Sequence, residues 1–226
     1  IALAAMQDAV DASDSNCRRE VMSFPTKYPS GGEKQLIEID QNDCEESLVE
    51  FVRRAWHVVE PGAEYVHGWH IDFICAHLEA ITDGVELSDD VYYNRLLINV
   101  PPGAMKSLLT SVFWPSWWWG PRREPHKRFL CASHSQSLAI RDSTKMRRLI
   151  QSEWYQSRWG DLVTLTGDQN AKTKFETTSM GFREAVAAGS ITGSRGDIVI
   201  IDDPHSVEGA ASDAMRASTI EWFLEA

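Results

Sequence analysis

Ile98-Asn99-Val100-Pro101-Pro102-Gly103-Ala104-Met105-Lys106-Ser107 is the stretch on which the fold turns. It ends a short apolar run, Arg95 to Val100, bounded by turn residues, as a strand buried on both faces of a parallel sheet reads. Pro101-Pro102-Gly103 breaks the run, and helical patterning follows from Lys106 until Pro115, where proline ends or kinks a helix. A strand, a tight turn and a helix opening on Lys-Ser form the setting of a phosphate loop. There, backbone N–H groups and the helix N-terminus surround phosphates, the lysine adds a point charge, and the hydroxyl reaches Mg2+. Pro102, Gly103, Ala104, Met105, Lys106 and Ser107 are therefore candidate ligands of a nucleotide's phosphates, with Ser107 also on the metal. The match to the Walker A pattern GxxxxGK[ST] is imperfect, because Val100 and Met105 hold its glycine positions. A plain Pro-Gly turn before a helix remains the alternative.

The complementary half is Ile198-Val199-Ile200-Ile201-Asp202-Asp203-Pro204, an apolar strand that delivers two carboxylates to the C-terminal edge of a sheet, where open α/β folds bind nucleotides. In this Walker B arrangement Asp202 is expected to hold Mg2+, and Asp203 to orient or deprotonate the attacking water. The competing reading is a strand-ending Asp-Pro turn. His205, next to this site, is a candidate γ-phosphate sensor or a structural histidine.

Between and before these segments, Leu48, Val52, Ala55 and Val59 recur at helical spacing, and a second helix is predicted from Trp69 to Thr82. Lys127 to Ala132 reads as a buried strand leading into a helix over 136–150. Strands are expected around Lys174 to Thr178, Gly181 to Ala187 and Asp197 to Ile201, and Asp213 to Leu224 reads as helix. This alternation predicts an α/β fold, a P-loop NTPase of the ASCE type with a mostly parallel central sheet flanked by helices and preceded by a short helical segment. Residues 1–47, acidic and rich in Ser, Asp and Gly, are expected to be flexible or loosely docked, and 48–226 to form the ATPase domain.

The chain has 226 residues, 43% of them hydrophobic, enough for one sizeable domain, and it stops inside a helical pattern, so it reads as a fragment. Cys17, Cys44, Cys75 and Cys131 are scattered without metal-ligand or disulfide spacing, which fits a reducing cytoplasm. Apolar runs are too short to span a membrane. A net charge of −11 does not fit a dedicated DNA-binding domain. The strongest basic clusters are Arg122, Arg123, Lys127 and Arg128, then Arg141, Lys145 and Arg148, each either a nucleic-acid contact or a solvated face. Trp114, Trp117, Trp118 and Trp119 read as sheet packing rather than as a base-stacking platform.

With these segments in hand, the chain resembles the large terminase subunit of tailed bacteriophages. The resemblance is carried in order by Trp69-His70-Ile71, Leu96 to Ser107, Ala132-Ser133-His134-Ser135-Gln136 with Leu138-Ala139, Phe175 to Thr178, Gly189 to Gly196, and Ile198 to Pro204. It runs from about Leu48 onward. It implies an ATP- and Mg2+-dependent motor domain that drives double-stranded DNA into a procapsid. Lys106 and Ser107 would be phosphate and metal ligands, Asp202 the metal carboxylate and Asp203 the catalytic one. The family's adenine pocket would fall near Trp69 and His70, although Trp69 could equally be core. Many relatives place an arginine within the phosphate loop, where this chain has Gly103. Arg195 is then the natural cation for the transition state, in cis or across a ring interface, with a surface loop arginine as the alternative. The resemblance further implies a homo-oligomeric ring, the portal protein and the small terminase subunit as partners, and the host cytoplasm with transient docking on the procapsid. The family's coupling motif and nuclease domain find no counterpart in these residues. Two rival readings stay open: a nucleotide-binding assembly module with little turnover, suggested by the lost loop glycines and by Asp203 where Glu is usual, and a helicase-type P-loop ATPase.

Overall fold

The computed structural model describes residues 32–189 and 195–225. Gln35–Ala226 makes one compact unit, and residues 1–34 are assigned to another, of which only the first turn of a helix is described. The elements are α1 (Gly32–Glu46), α2 (Leu48–Val59), α3 (Trp69–Thr82), β1 (Glu86–Ser88), β2 (Val91–Tyr92), α4 (Lys106–Leu108), a π-helical turn (Leu109–Phe113), α5 (Trp114–Trp119) and β3 (Phe129–Ser133). Then follow α6 (Gln136–Gln151), α7 (Glu153–Trp159), β4 (Leu165–Asn170), β5 (Lys174–Thr177), β6 (Phe182–Ala187), β7 (Ile198–Asp202), α8 (Val207–Ala211) and α9 (Asp213–Glu225).

The main sheet has five strands in the order β4-β5-β6-β3-β7. β3 runs parallel to β6 and β7 on either side, with Ser133 opposite Asp202. β5 is antiparallel to both β6 and β4. The sheet is thus mixed, which corrects the expected mostly parallel one. The cause is local: the links from β4 to β5 and from β5 to β6 are short turns, and only antiparallel neighbours can be joined that way.

Every residue of β3 is buried, as a central strand between two neighbours requires. α6 lies against β3, β6 and the π turn. The amphipathic α2 starts at Ser47, whose hydroxyl accepts from the Glu50 N–H, and buries Leu48, Phe51, Val52, Ala55 and Val59. All four tryptophans of 114–119 are buried. Trp119 sits edge-on between Phe129 and Phe175, at ring separations of 6.1 and 5.8 Å. Packing, not base stacking, is their role.

Three local expectations change. Arg95–Val100 forms no strand in the sheet: Leu96, Ile98 and Val100 pack against the core while Leu97 is 93% exposed. That alternation is the period of an extended chain covered on one face. Pro115 does not stop its helix. It enters α5 through the π turn, and the Ser111 carbonyl it cannot bond receives the buried Arg183 guanidinium at 3.4 Å instead. Finally, within the stretch 1–47 expected to be flexible or loosely docked, the residues from Gln35 onward belong to the compact unit. Asp40 pairs with Arg54 and Arg158, and the Cys44 carbonyl accepts from the Trp117 indole at 2.7 Å. The earlier part of that stretch, Cys17 included, lies outside the described residues. Cys44, Cys75 and Cys131 are free and buried, and no helix among the described residues is long and apolar enough to cross a membrane.

Candidate functional site

The turn at 101–105 closes with the Ala104 N–H on the Pro101 carbonyl and places two residues at positive φ, Gly103 at 87° and Met105 at 61°. Met105 thus holds, with a side chain, a left-handed backbone that favours glycine, and it directly precedes α4. Pro102 and Gly103 are exposed, while Ala104, Met105, Lys106 and Ser107 are half-buried.

From this turn the Lys106 ammonium reaches across to the end of β7, where it lies 3.1 Å from Asp202 Oδ1 and 2.5 Å from Asp203 Oδ1, 97 residues on from Lys106. Burial opposes the ammonium's charge, but hydrogen bonds and attraction from Asp203 and Asp202 outweigh it, and its pKa is raised. Lys106, Asp202 and Asp203, three of the residues singled out in the sequence, are therefore brought together. Both carboxylates converge on one cation, and Ser107 is the next residue along the loop. No set of three or more His, Cys, Asp or Glu able to cage a metal occurs among the described residues. Mg2+ on a nucleotide needs no such cage, since it takes one or two carboxylates plus phosphate oxygens and water. Asp202 and Asp203 supply the one or two carboxylates of such a site.

Arg195 is not brought to this site. It is exposed and stands just before Asp197, which pairs with Arg128 at the opposite end of β7. From Asp197 to Asp202 the strand spans about 17 Å, longer than an arginine side chain. Ser190 to Ser194, in the Gly/Ser loop expected to carry Arg195, lie outside the described residues. Arg141 lies on the second turn of α6. Its bidentate pair with Asp142 is the main cause of its raised pKa, and the charges of Asp202 and Asp203 add to the shift.

Trp69 is 74% exposed, so it is not core. Its ring meets His70 edge-on at 6.3 Å and Phe73 at 6.5 Å, and His70 is half-buried. His205 is half-buried with its Nε2 atom closed off from solvent and without a partner among the described residues.

His134 escaped attention as a site residue when read from sequence. It follows β3 directly, and both its backbone N–H and its Nδ1 meet the Asp203 carbonyl, at 3.1 and 2.9 Å. The only available signal was its place, one residue beyond an apolar strand next to the acid-bearing one.

The basic cluster at 122–128 is neutralised one charge at a time. Arg122 pairs with Asp83, Arg123 with Glu45, Lys127 with Glu124 and Arg128 with Asp197. On α6, Arg141 pairs with Asp142 and Lys145 with Glu60, while Arg148 is exposed. A surface depression lined by Gln151, Gln156, Thr164, Leu165 and Asn170 sits at the C-terminal end of α6. Neither a family model nor a curated protein matches this chain.

Proposed function

We propose that the chain is a Mg2+-dependent ATPase whose site is the 102–107 loop together with Asp202 and Asp203. The observation that carries the proposal is the convergence of both carboxylates on the Lys106 ammonium, at 3.1 and 2.5 Å. A lysine after a turn with left-handed backbone, facing two acids at a strand end and followed by a serine, supports binding of a nucleotide's phosphates.

In this reading the amides of the loop and Lys106 take the β- and γ-phosphates, while Asp202 and Ser107 hold Mg2+. Bound there, the ion neutralises charge on the phosphate oxygens. Asp203, the more exposed acid, orients the attacking water and accepts its proton. Arg141 supplies the positive charge in cis that a phosphate loop without an arginine lacks. Trp69 offers an exposed aromatic face for adenine. On the strength of the motif order from Trp69 to Pro204, we further assign this ATPase to DNA packaging by a terminase-like motor. Its partners would be double-stranded DNA, a portal protein, a small terminase subunit and further copies of the chain in a ring, working in the cytoplasm of an infected host at a procapsid.

The test is Mg2+-dependent ATP hydrolysis by the purified protein with DNA and portal. Lys106→Ala and Asp202→Ala are each expected to abolish it. Hydrolysis undiminished by Lys106→Ala would refute the site. An Asp203→Glu variant that converts a silent protein into an active one would favour the assembly-module reading instead.

A further inference from the structure

Asp203 has a backbone its sequence does not favour. Its φ is 45°, in the left-handed region, although it carries a side chain and precedes Pro204. A residue before proline is pushed toward extended conformations, and left-handed backbone is uncommon for residues other than glycine. An outlier of this kind persists only where its surroundings fix it, and it concentrates at functional sites.

Those surroundings are specific. The last ladder position of β3, Ser133, lies opposite Asp202, so the next residue, His134, is carried alongside Asp203. Its backbone N–H donates to the Asp203 carbonyl at 3.1 Å, and its imidazole Nδ1 lies 2.9 Å from the same oxygen. A carbonyl oxygen only accepts, so Nδ1 carries a hydrogen and donates, and both lone pairs of that oxygen are engaged. With its carbonyl held in this way, Asp203 turns its carboxylate back onto Lys106.

We propose that His134 is a positioning residue, acting through the Asp203 backbone to aim the Asp203 carboxylate at the phosphate-loop lysine. Its role in turnover rests on the ATPase reading above, whereas its grip on Asp203 does not. The contact that His134 makes at this site is with the Asp203 carbonyl. It keeps a strained acid in place at the strand end, where a shift of an ångström in the group that orients water lowers the rate far more than it lowers nucleotide binding.

Two variants separate the hydrogen bond from the bulk of the ring. His134→Phe keeps the ring volume and loses the donor. His134→Asn keeps a donor nitrogen where Nδ1 stands. In steady-state Mg2+-ATP hydrolysis, His134→Phe is expected to lower kcat about tenfold with KM changed less than about twofold, and His134→Asn to stay within about threefold of the parent. Equal kcat in His134→Phe and the parent, or equal loss in both variants, would overturn the proposal. A crystal structure of His134→Phe gives an answer that does not depend on activity. Asp203 should relax to negative φ and its carboxylate should leave Lys106, whereas an unchanged Asp203 on Lys106 would refute the inference. If the parent shows no Mg2+-dependent hydrolysis, the ATPase reading fails and the crystal comparison still decides the positioning role.

Discussion

The two faces of this domain follow opposite rules. Around β3 and α5 the packing is close: a fully buried apolar strand, a helix of buried tryptophans, and the Trp117 and Trp119 indole N–H groups on the Cys44 and Lys127 carbonyls. At the end of β7 local preferences are violated. Met105 and Asp203 hold left-handed backbone without being glycine, Asp203 does so before a proline, and two acids crowd one lysine. Left-handed backbone also occurs at Asp90, Arg123 and Met180, but at the end of β7 it coincides with two acids on one lysine.

That contrast breaks most visibly at Trp119. It is fully buried between Phe129 and Phe175, so Trp119→Ala should cost about 3–5 kcal/mol, measured as a fall in the midpoint of chemical unfolding. Site substitutions should instead change turnover and leave stability nearly intact. Arg141→Ala is expected to reduce ATP hydrolysis about tenfold, near 1.4 kcal/mol in the barrier, while Arg195→Ala leaves hydrolysis by the isolated chain unchanged. The reverse result would place the essential cation at Arg195 instead. Gly103→Ala meets no neighbouring atom within 4 Å but must adopt a φ of 87°, and it should cost about 1 kcal/mol by thermal melting. The smallest effect is expected at Asp197, whose pKa is lowered, first by its hydrogen bond from Arg128. A depressed folded-state value means stability that is present above the ordinary carboxylate pKa of 3.8 and is lost as pH falls through the folded value. Asp197→Asn should thus be slightly less stable than the parent at pH 7, and the difference should vanish in acid.

The same contrast explains what could be read from sequence. α2, α3, α6 and the strands β3, β5, β6 and β7 were legible because apolar period and turn residues mark them, and in α3 the predicted bounds are those observed. Lys106, Asp202 and Asp203 could be singled out because a Lys-Ser pair after a Pro-Gly turn and an acid-ended strand are local patterns, and the structure brings the three together. The rest depended on distant partners. α1 is acidic and weakly patterned, and it is held by Arg54, by Arg158 and by the Trp117 indole, 73 residues beyond the carbonyl it reaches. Arg95–Val100 was misread because Leu97 and Leu96 look alike in a string, although one faces out and the other in. Arg195 was placed by proximity along the chain, and the length of β7 separates it from the acids. His134 enters only through register, since its neighbour Ser133 is opposite Asp202.

A crystal structure of the protein with Mg2+ and a non-hydrolysable ATP analogue tests the site most directly. The phosphates are expected against Lys106 and the amides of 102–107, with the ion at Asp202 and Ser107. A nucleotide bound elsewhere, or a saturated solution that leaves Lys106 on its two carboxylates, would contradict the ATPase reading.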